Sequence, residues 1–288
     1  MLAVVGDLMR SISLVQFYPE HNTLEEIARD FNANWTCAVE MLTENIYLGA
    51  ENWNNLFCLR RNTSSSNEEM RCRLDTVGEY HLGEMCNKFM AGSLVMPVSS
   101  KTASSFRRQV RRPGSPKKIP STNIQPSSKN KVNVQASRPI VSTGSQTLFG
   151  TVDGTLGVIL GLDSRTAAFF SSLERAMATM IRHVGDFSHQ LYRACHAERR
   201  IHPAHGFVDG DLTESFLDMD RNTMEIIVQE MNRDGGWDID DTLQSRSGAT
   251  GGGVNNDNSS LNDDMEIQRY TLSVEDVLAM VEEMTMMH

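Results

Sequence analysis

Three segments of the chain share one template. VVGDLMRSISLV, YLGAENWNNLFCL and LFGTVDGTLGVIL each place an apolar pair, a glycine, a polar turn and then three or four apolar residues. The shared glycines are Gly6, Gly49 and Gly150, the first two 43 residues apart. The second interval is 101 residues, or about 55 once a basic stretch between them is set aside as a loop. Apolar runs on either side of a polar turn make a hairpin, and Asp153-Gly154 is the strongest turn signal in the chain, because both residues accept positive φ in a two-residue connection. A repeat of about 40 to 50 residues built from short antiparallel strands is the period of β-propeller blades.

The glycines of FGTVDGTLGVIL also invite comparison with a phosphate-binding loop. That chemistry needs a helix opening after the glycines, so that its free amides meet the phosphate. Here Val158, Ile159 and Leu160 continue as a strand, and no Lys-Ser/Thr pair follows. Further strands are expected at residues 2–5, 11–17, 37–42, 46–50, 56–59, 78–82, 88–95, 147–151 and 155–160, with a short helical piece around Leu24 to Asp30.

The net charge of −10 is unevenly spread. Between Pro97 and Gly150 there is no Asp or Glu, but there are ten Lys and Arg residues. Such a tract, rich in Ser, Pro, Asn and Gln, cannot bury enough surface to offset its ordering entropy, so residues 98–144 read as a disordered basic insertion. Residues 245–264, SRSGATGGGVNNDNSSLNDD, read as a flexible linker. The five cysteines contain no CxxC pair, which argues against a zinc site or a disulfide scaffold. No apolar run approaches the length that crosses a bilayer, so neither secretion nor a membrane role is expected. The strand-like Leu2 to Val5 stands at the very start, as in a chain cut from something longer.

After residue 163 the period changes to that of helices. Phe169, Phe170, Leu173, Met177, Met180, Ile181 and Val184 line one face of a helix over 164–184, with Gly185 as its C-cap. Further helices are expected over 187–198, 212–217, 223–232 and 274–287. The last has Ser273 as N-cap and Asp276 three residues on. The fold class is therefore mainly β plus α: a partial β-propeller over 1–163, then a helical domain over 164–288.

Catalytic signatures are lacking. His183, His189, His196, His202 and His205 crowd one region without a zinc-binding motif, and read as solvated or cap-forming histidines rather than metal ligands. Asp209, Asp211, Glu214 and Asp218 do not match a calcium loop and read as helix caps. Neither a nucleophile elbow nor a kinase-type set is present, so no enzyme, metal or cofactor is expected.

ARDFNANWTCAVEMLTENIYLGAENWNNLFCL, GEYHLGEMCNKFMAGSLVM, LFGTVDGTLG and GFVDGDLTESFLD resemble the C-terminal part of one family of large propeller scaffolds. That family comprises the large subunit of the damaged-DNA-binding protein, the A subunit of the polyadenylation-specificity factor and a splicing-factor subunit. The similarity is strongest to the damaged-DNA-binding branch, the adaptor of cullin-4 ubiquitin ligases. It implies the last blades of a third propeller plus a C-terminal helical domain. It also implies a non-enzymatic scaffold in DNA damage repair and protein ubiquitination, in the nucleus and the cytoplasm. Its partners would be WD40-type substrate receptors. Cullin-4 would be reached only through N-terminal propellers that this chain lacks, and damaged DNA only indirectly, through a receptor. The family's receptor-contact positions match Arg10, Arg29, Trp35 and Asn87. Arg and Trp are the types enriched at interface hot spots, although Trp35 reads equally well as a core aromatic and Arg10 as an exposed turn residue. Met85 and Lys88 depart from the family pattern, which has an aromatic and an aliphatic residue there.

The basic insertion lies outside that resemblance. Arg107, Arg108, Arg111, Arg112, Lys117 and Lys118, in RRQVRRPGSPKK, fit a nuclear localisation signal, a phosphate-backbone contact or a solvated loop, and Ser115-Pro116 fits proline-directed phosphorylation. Two alternatives to the adaptor thus stay open: a nuclear nucleic-acid-binding factor acting through this tract, and a truncated product without function, since a few blades cannot close a propeller and leave strand edges unpaired.

Overall fold

The computed structural model describes residues 1–95, 143–182, 184–197, 200–237 and 271–287. All three repeat segments are hairpins. β1 (Leu2–Asp7) pairs with β2 (Ser11–Tyr18), β5 (Ile46–Glu51) with β6 (Asn55–Arg61), and β9 (Thr143–Thr151) with β10 (Leu156–Leu162), all antiparallel. In the four-stranded middle sheet the template supplies the two central strands, flanked by β4 (Thr36–Thr43) and β7 (Leu74–His81). The first sheet runs β1-β2-β3, with β3 (Thr23–Arg29) in the place of β7, and the third runs β8-β9-β10, with β8 (Cys86–Ala91) in the place of β4. The architecture is that of a partial β-propeller joined to a helical part.

The middle sheet is buried on both faces, which explains its near-continuous apolar strands. Tyr47, Phe57, Leu59 and Leu74 pack against Ile12, Leu14 and Ala28 of the first sheet. Leu48, Ala50, Leu56 and Tyr80 pack on the other side against Cys86, Phe89 and Phe149 of the third sheet. Within this frame the glycines have specific work. Gly49 lies opposite Phe57, and Gly157 opposite Phe149. In each pair the ring lies across the glycine, so a Cβ there would sit 2.2 Å from the ring's Cζ atom. Gly150, by contrast, has nothing within 4 Å of a Cβ position.

The connections of these hairpins have three residues rather than the expected two. Asp7 pairs with Ser11, Glu51 is followed by Asn52, Trp53 and Asn54, and the amide of Thr151 donates to the carbonyl of Thr155 at 3.0 Å. Each uses one left-handed residue, namely Ser11 (φ 61°), Asn54 (φ 63°) and Gly154 (φ 97°), as three-residue hairpins require.

The expected helix at Leu24 to Asp30 is instead the edge strand β3. Its residues favour helix, but pairing with β2 and the bond from the Arg29 amide to the Cys72 carbonyl (2.9 Å) override that weak preference. α1 (Glu68–Arg71), capped by Asn67, lies in a stretch assigned to no element from sequence. β9 begins at Thr143, inside the range expected for the basic insertion; the rest of that insertion, with Arg107, Arg108, Arg111, Arg112, Lys117 and Lys118, lies outside the described residues, as does the linker at 245–264.

Asp163 caps α2 (Ser164–Met180) directly after β10. This helix ends at Met180, so Gly185 is not its cap but takes a left-handed conformation (φ 80°) in the next turn. The helix expected over 187–198 is mostly absent. α3 spans only His189–Tyr192, and the chain then forms the hairpin of β11 (Cys195–Ala197) and β12 (Arg200–His202). The Arg193 carbonyl accepts from the amide of His81 in β7 at 3.2 Å, so the sheet captures a backbone group that a longer helix would use. α4 (Gly210–Glu214), α5 (Arg221–Asp234) and α6 (Val274–Thr285) complete the helical part. Its core joins Phe169, Phe170, Phe216, Ile227, Met231, Val277, Met280 and Val281. Each fully buried side chain of this kind contributes about 1.5–3 kcal/mol. Ser273 and Asp276 form the expected capping box. The Asn232 side chain receives the Leu272 amide and donates to the Leu272 carbonyl, both at 2.9 Å, which holds the entry to α6 against α5.

A buried ionic strut fastens the helical part to the middle sheet. Asp209 caps α4 through the Leu212 amide and receives Arg193 Nε at 2.6 Å. The Tyr80 hydroxyl of β7 shares a hydrogen bond with Asp209, and burial pushes this phenol well above its ordinary pKa. The Arg193 guanidinium lies 4.8 Å from the centre of the Tyr80 ring and reaches the His81 carbonyl at 3.3 Å. His189, expected to be solvated or a cap, is buried here, with Nε2 3.2 Å from Glu174 and 3.6 Å from Asp209.

Replacing Gly157 by Ala should cost about 1–3 kcal/mol in urea unfolding, because Phe149 must leave its place, while Gly150→Ala should stay within about 0.5 kcal/mol. Arg193→Ala should cost about 3–5 kcal/mol in the same measurement, since it leaves Asp209 as a buried charge without its cation.

Candidate docking rim

One end of the three sheets is a continuous rim. The β1–β2, β5–β6 and β9–β10 turns meet there with the β3–β4 and β7–β8 connections, and hydrogen bonds run across the whole series. Asp30, after β3, is buried; its carboxylate accepts from the Ser11 hydroxyl at 2.7 Å, and its amide donates to the Ile12 carbonyl at 2.9 Å. The Asn32 amide (3.1 Å) and side chain (3.0 Å) also donate to that carboxylate, yet burial still raises its pKa. The Asn52 amide donates to the Trp35 carbonyl at 3.1 Å, tying the β5–β6 turn to the β3–β4 connection. On the other side of that turn, the Asn54 side chain donates to the Gly83 carbonyl at 3.2 Å, and the Leu82 amide to the Asn54 carbonyl at 2.9 Å. The last link runs from the Val152 amide to the Met85 carbonyl at 2.9 Å and from the Thr151 hydroxyl to Glu84 at 2.7 Å. Loops joined in this way expose side chains without moving their backbones.

Arg10 lies in the β1–β2 turn. Its amide is held by Asp7 at 3.0 Å, while its guanidinium makes no ion pair among the described residues. Arg29, at the end of β3, pairs with Glu26 at 2.6 Å and lies 5.8 Å from the Phe31 ring centre. Trp35 is 51% exposed, so it is a rim residue and not a core aromatic. Asn87 is exposed at the start of β8, where the pairing with β9 shifts register, and Lys88 beside it is exposed too. All four family contact positions thus lie at or beside this end. Trp53, 45% exposed, and Phe31, Leu8 and Met9 share the rim and went unremarked in the sequence. The available signal was a tryptophan within the polar turn of ENWNN, where a hairpin needs only turn-forming residues.

Below the rim, Asn32, Asn34, Glu51, Asn55, Glu79, Cys195 and His202 line a cavity of about 60 Å³. Glu51 is buried and bonded to the Asn55 side chain, and burial, with the charge of Glu79, raises its pKa. His202 Nδ1 lies 3.3 Å from Glu79. Next to it, burial and the charges of His196 and Arg193 lower the pKa of His81, whose Nδ1 is 2.8 Å from the Asn55 side-chain oxygen. Burial pushes the thiols of Cys86 and Cys195 up to about 11 and about 12, so both are protonated and poorly nucleophilic at neutral pH. No cluster of three His, Cys, Asp or Glu with metal-binding geometry occurs among the described residues. No helix among them is long and apolar enough to cross a membrane.

Comparison with known proteins agrees with this architecture. DNA damage-binding protein 1 of Oryza sativa subsp. japonica is 39% identical over 228 residues, covering 79% of this chain and 17% of that protein. DNA damage-binding protein 1a of Arabidopsis thaliana and DNA damage-binding protein 1 of Solanum lycopersicum are each 41% identical over 229 residues, covering 80% of this chain and 18% of each relative. The chain therefore spans less than a fifth of the length of these relatives. The family model of the CPSF A subunit region matches residues 1–218, and the chain belongs to that family.

Proposed function

We propose that this chain is a non-enzymatic docking scaffold, the receptor-binding part of a cullin-4 ubiquitin ligase adaptor in DNA damage repair. The observation that carries this reading is the hydrogen-bonded rim, with Arg10, Arg29, Trp35 and Asn87 at or beside its exposed end. A rigid surface loses little entropy when a partner binds, and Trp and Arg are the side chains that contribute most to such contacts. In this reading the partners are WD40-type substrate receptors. Cullin-4 is engaged only through propellers outside this chain, damaged DNA is reached through a receptor, and the protein acts in the nucleus and the cytoplasm. The propeller part ends at residue 163 and the helical domain follows, consistent with the cap that Asp163 places on α2.

The segregated charge of residues 98–144 favours a second reading, in which ten cations without a single carboxylate contact nucleic acid. Salt-sensitive DNA or RNA binding that disappears on deletion of 98–142 would support it, and binding that survives the deletion would refute it.

Pull-down of WD40 receptors by the chain should weaken at least about tenfold in an Arg10→Ala, Arg29→Ala, Trp35→Ala variant, with an unfolding midpoint close to that of the parent. Unchanged receptor binding by this variant would remove the docking assignment.

A further inference from the structure

We infer that Trp53 is a specificity-determining contact of the rim, and that the partner segment it takes is an amphipathic helix whose aliphatic stripe is bordered by carboxylates. The inference rests on the docking reading above and adds a residue and a partner chemistry to it.

Trp53 sits at the centre of a three-residue turn that is fastened on both sides. Asn52 bonds to the Trp35 carbonyl, and Asn54, in its left-handed conformation, bonds to Leu82 and Gly83. An indole 45% exposed on such a mount contributes nothing to the core, while its ordering cost is already met by the turn. The same Asn52–Trp35 bond sets the two tryptophan-bearing loops side by side, and Leu8 and Met9 extend the apolar surface along the β1–β2 turn.

The backbone groups of the rim are largely used between its own loops, so an incoming strand finds few of the free amides and carbonyls that β-augmentation requires. The partner must meet the rim with side chains while satisfying its own backbone, which a helix does. Charge sets the border of that helix. The Arg10 guanidinium and the Lys88 ammonium have no ion pair among the described residues. The nearby carboxylates are engaged: Asp7 by the Met9 and Arg10 amides, Asp30 by Ser11 and Asn32, Glu26 by Arg29, and Glu84 by Thr151. Asp153, in the β9–β10 turn at the far end, is the exception. Unpaired cations beside apolar rings complement a helix that carries Glu or Asp beside Leu or Ile.

The three tryptophans provide the test, since Trp35 and Trp53 lie on the rim and Trp237 is buried in the helical core. The 288-residue chain labelled with 5-fluorotryptophan would give three fluorine resonances, assigned by single Trp→Phe variants. A synthetic helical peptide with a leucine stripe bordered by glutamates should shift Trp35 and Trp53 and leave Trp237 in place. The same stripe bordered by lysines should bind at least about tenfold more weakly, as should the glutamate peptide to Trp53→Ala. Equal or tighter binding of the lysine peptide would overturn the carboxylate assignment. Movement of Trp35 without Trp53 would overturn the role of Trp53 while leaving the docking rim intact. Rim shifts that grow with protein concentration in the absence of peptide would make a second copy the occupant, and would overturn the inference. So would the absence of any shift, or receptor pull-down at parental strength by Trp53→Ala. Failure of the docking reading itself is read separately, as receptor binding that survives loss of Arg10, Arg29 and Trp35.

Discussion

The contact of Arg193 with Asp209 and Tyr80 is the constraint on which the rest of the molecule depends. Three buried polar groups from different parts of the chain meet there: one from β7, one from the segment after α3, and one that caps α4. None is affordable alone in a low-dielectric interior, and together they satisfy one another. The strut also reaches the rim. Arg193 bonds the carbonyls of His81 and Leu82, and the Leu82 amide bonds Asn54 in the tryptophan-bearing turn. The helical part thus braces the loops of the middle and third sheets from behind.

The rim shows how irregular backbone is kept in one shape. Helices and strands satisfy their own hydrogen-bonding groups, whereas connections must find partners elsewhere or face water. Here each connection takes its neighbour as partner, and the buried Asp30 carboxylate anchors one end of the series. Exposed indoles on such loops are held out by backbone geometry instead of collapsing onto the nearest apolar surface. This is the physical basis for reading the rim as a docking surface, together with the chain's membership of the CPSF A subunit region family.

Much of the β part was legible in the sequence, because the cause was local. The glycine-turn template marked three hairpins, and the structure adds why two glycines matter: Gly49 and Gly157 each lie beneath a phenylalanine on the partner strand. The capping box at Ser273 was equally legible, since cap and partner lie three residues apart. Where local preference and tertiary bonding disagreed, tertiary bonding prevailed. TLEEIAR favours helix but became an edge strand against β2, and the stretch after His189 gave up helix when His81 captured the Arg193 carbonyl. Of the rim, Arg10, Arg29, Trp35 and Asn87 came from family resemblance, while Trp53 was concealed among turn residues and the strut required knowing which distant residues meet.

The sequence by itself determined the repeat, the hairpins within it, the change of period after residue 163 and the segregation of positive charge, because each depends on neighbours a few residues apart or on composition. Only the tertiary structure decided that Trp35 is exposed, that five connections form one hydrogen-bonded rim, and that Arg193, Asp209 and Tyr80 share a buried site. Those outcomes depend on which groups are left without partners once the sheets and helices have packed, a balance settled across more than a hundred residues of chain and not within any one segment.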